Sequence, residues 1–137
     1  MSKISVEEFN EIIRTELPWA DEAGMVLQSI EAGKAVLKLP FKPNSLRPGG
    51  TIAGPHMMAL SDACMYAVVL SLLGEAKLAV TTSFNVNFLR KPGETDLFAE
   101  GKIIKLGKRL AISEVSVFSD GNIVSHATGT YSIPPQG

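Results

Sequence analysis

Three observations in the sequence predict an α+β fold in which an antiparallel β-sheet wraps around one long central helix. The run from Ala53 to Leu73 is apolar on nearly all sides, the pattern of a helix enclosed by other structure rather than one lying on a surface. Four strand-like segments follow it, and two more precede it. A sheet of that extent must bury its apolar face, and curling it around the helix is the simplest arrangement.

The elements are expected in this order. Ser5 caps a first amphipathic helix, Glu8 stands in the capping-box position, and Phe9, Ile12, Ile13 and Leu17 share a face before Pro18 stops it. Met25–Glu31 and Lys34–Pro40, joined at Ala32-Gly33, read as a β-hairpin. The segment from Lys42 to Thr51 carries two prolines and two glycines and reads as a loop. Gly74 ends the buried helix. Strands are then expected over Leu78–Leu89, Leu97–Leu106, Arg109–Ser119 and Asn122–Ile133, with breaks at Lys91-Pro-Gly-Glu, Leu106-Gly-Lys and Ser119-Asp-Gly-Asn. Four strands in succession predict an antiparallel meander, and the Pro134-Pro-Gln-Gly tail is expected to fray.

Composition bounds the function. The chain has 137 residues, 45% hydrophobic and 20% charged, which suits a single domain over 1–137 with a core of its own. A net charge of −1 gives no electrostatic footprint for nucleic acid or a membrane surface. Pro55, His56 and Asp62 interrupt the apolar run as a membrane span, and the start of the chain has no apolar signal core, so a cytoplasmic protein is expected. One cysteine, Cys64, falls in the apolar run and reads as a small core hydrophobe. Two histidines, His56 and His126, and that cysteine show no metal-ligand spacing, and no cofactor is expected. Ser61, Ser83 and Ser113 lack the nucleophile-elbow glycines of a serine hydrolase.

The chemistry is expected at Asp62, because a carboxylate within a buried helix costs several kcal/mol unless it is paired or hydrogen-bonded. Gly54 and Pro55 open the same helix. The amides near Gly54, His56 and Met57 are then free to attract negative charge, such as the oxyanion formed when a carbonyl is attacked. Pro55 suits the first turn because its missing N–H would be unpaired there in any case. Eight residues separate Gly54 from Asp62, about 12 Å along the axis, too far for both to reach one carbonyl. If both act, they come from different copies, and two antiparallel helices in a two-fold dimer would bring them together.

Gly54-Pro-His-Met-Met-Ala-Leu-Ser-Asp62, the block Ala79-Val-Thr-Thr-Ser-Phe-Asn-Val-Asn-Phe-Leu-Arg-Lys-Pro-Gly93 and the Gly107-Lys-Arg turn resemble the hotdog-fold acyl-CoA thioesterases of the PaaI type, over residues 20–133. The resemblance implies a hotdog fold, a homodimer or dimer of dimers, and hydrolysis of an acyl-CoA thioester to free acid and coenzyme A. It also implies that Gly54 supplies the oxyanion amide and Asp62 acts as nucleophile or general base. Thr81 matches a position where the family often has a hydroxyl that orients the water or the acid. Ala53 stands where the family has histidine and Pro55 where it has a second glycine, so His56 is a candidate replacement for the imidazole. Asn44 corresponds to a family asparagine with a longer spacing to Gly54; a plain Asx turn after Pro43 is its other reading. Arg90 and Lys91 end one strand and Lys108 and Arg109 stand at a hairpin that could lie nearby; the cluster is a candidate to hold the coenzyme A phosphates, with plain solvated turns as the other reading. Met57, Met58, Met65 and Tyr66 are candidates to line or back the acyl channel, with plain core as the other reading. The competing class is a non-catalytic hotdog module that binds acyl-CoA or assembles with partners.

Overall fold

The structure, a computed structural model, describes residues 1–42, 46–47, 51–52, 54–74 and 79–135. Helix α1 spans Val6–Glu16 with the expected capping box: the Glu8 amide donates to Ser5 Oγ at 3.0 Å and the Ser5 amide to Glu8 Oε1 at 2.9 Å. It buries Phe9, Ile12 and Ile13. Pro18 does not leave the chain irregular. It opens a second short helix, α2, at Pro18–Ala23, because its fixed φ and missing N–H suit a first helical turn.

Strands β1 (Val26–Glu31) and β2 (Lys34–Leu39) form the expected hairpin. Within the 42–51 segment, a pair of two-residue strands, β3 (Leu46–Arg47) and β4 (Thr51–Ile52), closes a small antiparallel ladder. After helix α3 (Gly54–Leu73) come β5 (Val80–Phe88), β6 (Leu97–Leu106), β7 (Leu110–Ser119) and β8 (Asn122–Ser132). Asp120 and Gly121, with φ of 50° and 80°, make the tight β7–β8 turn that Asp-Gly predicts.

The main sheet is antiparallel, six-stranded and ordered β1-β2-β6-β7-β8-β5, which corrects the expected meander. Only β6, β7 and β8 follow one another. Strand β5 pairs with the far side of β8, and β6 crosses to join β2, so the β1–β2 hairpin completes the sheet beyond β6. The eight residues between Phe88 and Leu97 can reach about 26 Å, enough to pass over two strands spaced about 4.8 Å apart.

Helix α3 packs on this sheet and buries Leu60, Ala63, Cys64, Met65, Ala67, Val68, Val69 and Leu70. Two glycines let it approach closely. A methyl group on Gly101 would lie 2.9 Å from Cys64 Sγ and 3.0 Å from Val68 Cγ2, and one on Gly129 would lie 2.5 Å from Met65 Sδ. The helix has the length and apolarity of a membrane span, but most of it is buried in the fold. Cys64 is the core residue expected: burial pushes its thiol up to about 12, and Sγ faces the carbonyls of Ala35 and Ala99 at 3.6 and 3.5 Å.

The two sheet edges differ. At β1 the Asn10 side chain acts as a short substitute strand, accepting from the Leu27 amide at 2.7 Å and donating to the Leu27 carbonyl at 3.3 Å. At β5 no described strand or side chain covers the outer edge in this way, and Val80, Phe88 and the adjoining Leu89 are 56%, 50% and 56% exposed. A bare apolar edge strand is a template for pairing with another chain.

Candidate active site

The Asp62 carboxylate is held by two strands. Thr81 Oγ1 on β5 donates to Asp62 Oδ1 at 2.8 Å, and the Tyr131 hydroxyl on β8 donates to the same oxygen at 2.9 Å. Tyr131 also reaches the Asp62 carbonyl at 3.0 Å. The register makes this possible: Thr81 and Tyr131 are direct partners across β5 and β8, so both present a hydroxyl to the same turn of α3. Burial, and after it the neighbouring Asp62 charge, raise the Tyr131 phenol well above its ordinary value, so it stays protonated and remains a donor. With both described donors on Oδ1, the carboxylate is fixed in rotation and Oδ2 is the oxygen left to face a reactant.

Tyr131 is the site residue that the sequence reading missed. A signal was present, since Tyr131 falls in the inward phase of an alternating strand and a buried tyrosine hydroxyl needs a partner. Tyr66 stacks on Tyr131 with ring centroids 6.2 Å apart and 15° between planes, and Phe9 packs against Tyr66 at 6.1 Å. An aromatic row thus runs from α1 to the carboxylate.

Gly54 is the first residue of α3, where backbone N–H groups have no intrahelical acceptor. A Cβ there would lie 3.3 Å from Cζ of Phe88, so glycine is what lets the end of β5 close over the helix start. Within one chain, then, Asp62 lies beside Thr81 near one end of β5 and Gly54 beside Phe88 at the other. His56 is half-buried at the Gly54 end, six residues or about 9 Å along the axis from Asp62, so the two do not form a pair within a chain. Its Nδ1 is buried and has no hydrogen-bond partner among the described residues. Asn44, like Ala53, lies outside the described residues.

The methionines divide. Met57 and Met65 are core, 4% and 0% exposed, whereas Met58 is on the surface, on the same helical stripe as Asp62 and Tyr66. That stripe is the less buried face of α3.

The basic residues do not form the expected cluster. The Arg90 amide bonds the Val124 carbonyl, placing Arg90 and Lys91 at the start of β8, while the Ile133 amide bonds the Arg109 carbonyl, placing Lys108 and Arg109 at its end. The length of β8 keeps the two pairs roughly 25–30 Å apart. All four side chains are exposed. His126 sits on the outer sheet face, its Nε2 2.9 Å from Glu114 Oε1, with Lys102 Nζ 3.7 Å from the other carboxylate oxygen.

A six-stranded antiparallel sheet wrapped around a long buried helix is the architecture of a hotdog-fold domain. The family model of the thioesterase superfamily matches residues 49–125, and the chain belongs to that family. Over 98% of its length it superposes on 95% of a candidate thioesterase from Silicibacter sp. TM1040, with a TM-score of 0.88 and 34% identity. A candidate esterase of Saccharolobus solfataricus is 30% identical over 132 residues, 95% of this chain and 86% of the relative. A variant of the phenylacetic acid degradation protein PaaI from Thermus thermophilus superposes with a TM-score of 0.78 and 25% identity, covering 85% of this chain and 99% of that one. Together these matches support hydrolase activity of the esterase or thioesterase class.

Proposed function

We propose that the protein hydrolyses acyl-CoA thioesters at sites shared between two copies of the chain. The observation that carries this reading is the placement of the two half-sites at opposite ends of the bare edge strand, Asp62 beside Thr81 and Gly54 beside Phe88. Antiparallel pairing of two β5 strands about a two-fold axis near Phe84 would set position 88 of one chain against position 80 of the other. Gly54 of one copy would then approach Asp62 of its partner, with the less buried faces of the two α3 helices towards each other. The same operation would carry Arg90 and Lys91 of one chain towards the Lys108–Arg109 end of the other, forming between subunits the basic site that a single chain lacks. The polyanionic coenzyme A phosphates are a suitable occupant for it.

In this mechanism the thioester carbonyl oxygen accepts from the Gly54 amide at the positive end of α3, where the charge developing on it is stabilised. Asp62 of the other chain supplies Oδ2. As a general base it takes a proton from water while the water oxygen bonds to the carbonyl carbon; the carbon–sulfur bond then breaks, and the coenzyme A thiolate recovers a proton. As a nucleophile Oδ2 would bond to that carbon itself while the carbon–sulfur bond breaks and the coenzyme A thiolate leaves to take up a proton, forming an anhydride that water hydrolyses. Single turnover in heavy-oxygen water bears on these routes, since label in Asp62 arises only by the second, when water attacks the Asp62 carbon of the anhydride.

The test is a panel of acyl-CoAs with detection of the released thiol, combined with subunit mixing. Asp62→Asn should lose at least a hundredfold in kcat, about 2.7 kcal/mol of barrier, while keeping its fold. Asp62→Asn subunits exchanged with Gly54→Val subunits should regain activity, because each mixed dimer keeps one intact site. No release from any acyl-CoA, with saturable binding retained, would favour a binding module; no recovery after proven exchange would refute the shared site.

A further inference from the structure

The carboxylate opens onto a pocket of about 310 Å³ whose outer wall is supplied by the N-terminal helices. Ile12 and Glu16 of α1, Leu17 at the junction and Trp19 of α2 form that wall; Ala63 and Tyr66 of α3 and Ala79 and Val80 on the β5 side complete it around Asp62, Thr81 and Tyr131. Thr81 and Tyr131 hold Asp62 on one side, and apart from Glu16 the other lining residues are aliphatic or aromatic. Only part of this enclosure lies in the residues matched by the family model, which begin at 49; Ile12, Leu17 and Trp19 lie outside them.

We propose that this pocket receives the acyl group of the thioester and that Trp19 sets which acyl groups are accepted, selecting neutral, compact apolar ones such as a six-carbon chain or a single aromatic ring. The proposal rests on the thioesterase reading and names its substrate class. Its volume lies at the lower end of ligand pockets, which suits one ring or a short chain rather than a long fatty acyl group. Trp19 is a large side chain left 45% exposed at the rim, on a helix fixed by Pro18 at its start and by buried Ala20, and its indole offers an apolar face to an occupant of the pocket. An acyl group carrying its own carboxylate is disfavoured beside the Asp62 carboxylate in a pocket lined otherwise largely by apolar side chains. A compact neutral group places its carbonyl by Asp62 Oδ2 and its apolar end against Tyr66 and Trp19.

Two measurements on the full chain test this. The first compares kcat/KM for acetyl-, hexanoyl-, phenylacetyl-, succinyl- and palmitoyl-CoA in the parent, Trp19→Ala and Trp19→Phe. The parent should favour hexanoyl- and phenylacetyl-CoA over succinyl- and palmitoyl-CoA by at least tenfold. Trp19→Ala should lower phenylacetyl-CoA turnover at least tenfold more than acetyl-CoA turnover, a loss on the scale of one or two methylenes in a hydrophobic pocket, and Trp19→Phe should restore most of the difference. Equal loss on every substrate, or none, would overturn the proposal. The second measurement uses the fact that the chain has one tryptophan. Fluorescence of Asp62→Asn titrated with phenylacetyl-CoA should change saturably, and titration with coenzyme A alone should not reproduce the change. A phenylacetyl-dependent change in a protein that hydrolyses no acyl-CoA would uphold the pocket and refute the hydrolase. Turnover with a fluorescence response no different from that to coenzyme A would refute the pocket and uphold the hydrolase. Silence in both refutes both.

Discussion

Thr81 and Tyr131 donate to one and the same oxygen of Asp62, and this convergence makes a quantitative prediction. Thr81→Val and Tyr131→Phe each remove one donor at 2.8 or 2.9 Å while keeping the shape of the side chain. A hydrogen bond to a charged group contributes about 1.5–3 kcal/mol, but the remaining donor still anchors Oδ1, so each single variant loses only part of the orientation. We expect a three- to tenfold fall in kcat for each, roughly 0.7–1.4 kcal/mol of barrier, with KM unchanged because neither hydroxyl contacts the coenzyme A end. The double variant frees the carboxylate to rotate. It should fall at least a hundredfold and by clearly more than the product of the single effects, a coupling expected of residues that share one acceptor. Tyr131→Phe also removes a buried hydroxyl and should cost about 1 kcal/mol of stability, a few degrees in Tm. Steady-state kinetics on the best acyl-CoA, with thermal melts of all three variants, give the answer. Strict multiplicativity, or a full loss in either single variant, would refute the idea that the donors jointly hold Oδ1.

Three further outcomes follow from other parts of the molecule. Gly129→Ala should destabilise the fold by about 1–3 kcal/mol, because its methyl group would lie 2.5 Å from Met65 Sδ and 3.3 Å from the Ser83 carbonyl; chemical denaturation should show a smaller loss in a Met65→Ala background. Arg90→Ala and Arg109→Ala should each raise KM for acyl-CoA more than they lower kcat, since phosphates bind alike in ground and transition states; unchanged KM in both would mean that these groups only face solvent. The hydrogen bond from His126, and then the Lys102 charge, hold Glu114 below its ordinary value of 4.5, so its contribution is present above that pH and is lost as pH falls through the lower folded-state value. Denaturation at pH 7 and near pH 3 should therefore show a smaller pH effect in Glu114→Gln than in the parent, and an equal effect would show the contact to be inconsequential.

What could be read from the sequence was what short-range chemistry determines. Leu97–Leu106 and Asn122–Ser132 match the expected strands because turn residues bound them and side chains alternate within them. The Ser5–Glu8 box and the Asp120-Gly121 turn are local in the same sense. Strand order was not legible: whether β5 or β2 lies beside β6 depends on contacts between segments some sixty residues apart, and alternation looks the same for either neighbour. Helix α2 was missed because six residues are too few to show a helical period, although Pro18 is a start signal as well as a stop. The expected basic cluster failed for a reason available beforehand. Consecutive turns of an up-and-down sheet fall at opposite ends, so the turn after β5 and the turn after β6 could not meet within one chain. At the site, Asp62 was visible as a carboxylate out of place and Thr81 through the family resemblance, whereas Tyr131 needed the β5–β8 register that brings it opposite Thr81.

The same register bears on the sequence departure at the helix start, where Pro55 replaces a glycine of the family motif. An oxyanion site needs an N–H that points out of the helix and has no other acceptor. The first turn supplies such groups whatever the side chains are, and proline at the second helical position removes one N–H without touching that of Gly54. It also fixes φ near the helical value, so the entry to α3 loses freedom rather than geometry. The demand for glycine is therefore concentrated at Gly54. There it is steric as much as conformational, because the Phe88 ring closes to within 3.3 Å of where a side chain would begin. Phe88 is half-exposed at the end of the bare strand. In an antiparallel β5 pair that ring would stand between one chain's helix start and the other chain's Asp62 end, and would shield the carbonyl from bulk water. A substitution at Phe88 would then act on both halves of the proposed site at once: Phe88→Ala should weaken dimerisation and lower kcat together. A variant that remained dimeric at parental activity would show that the strand edge is joined in another way.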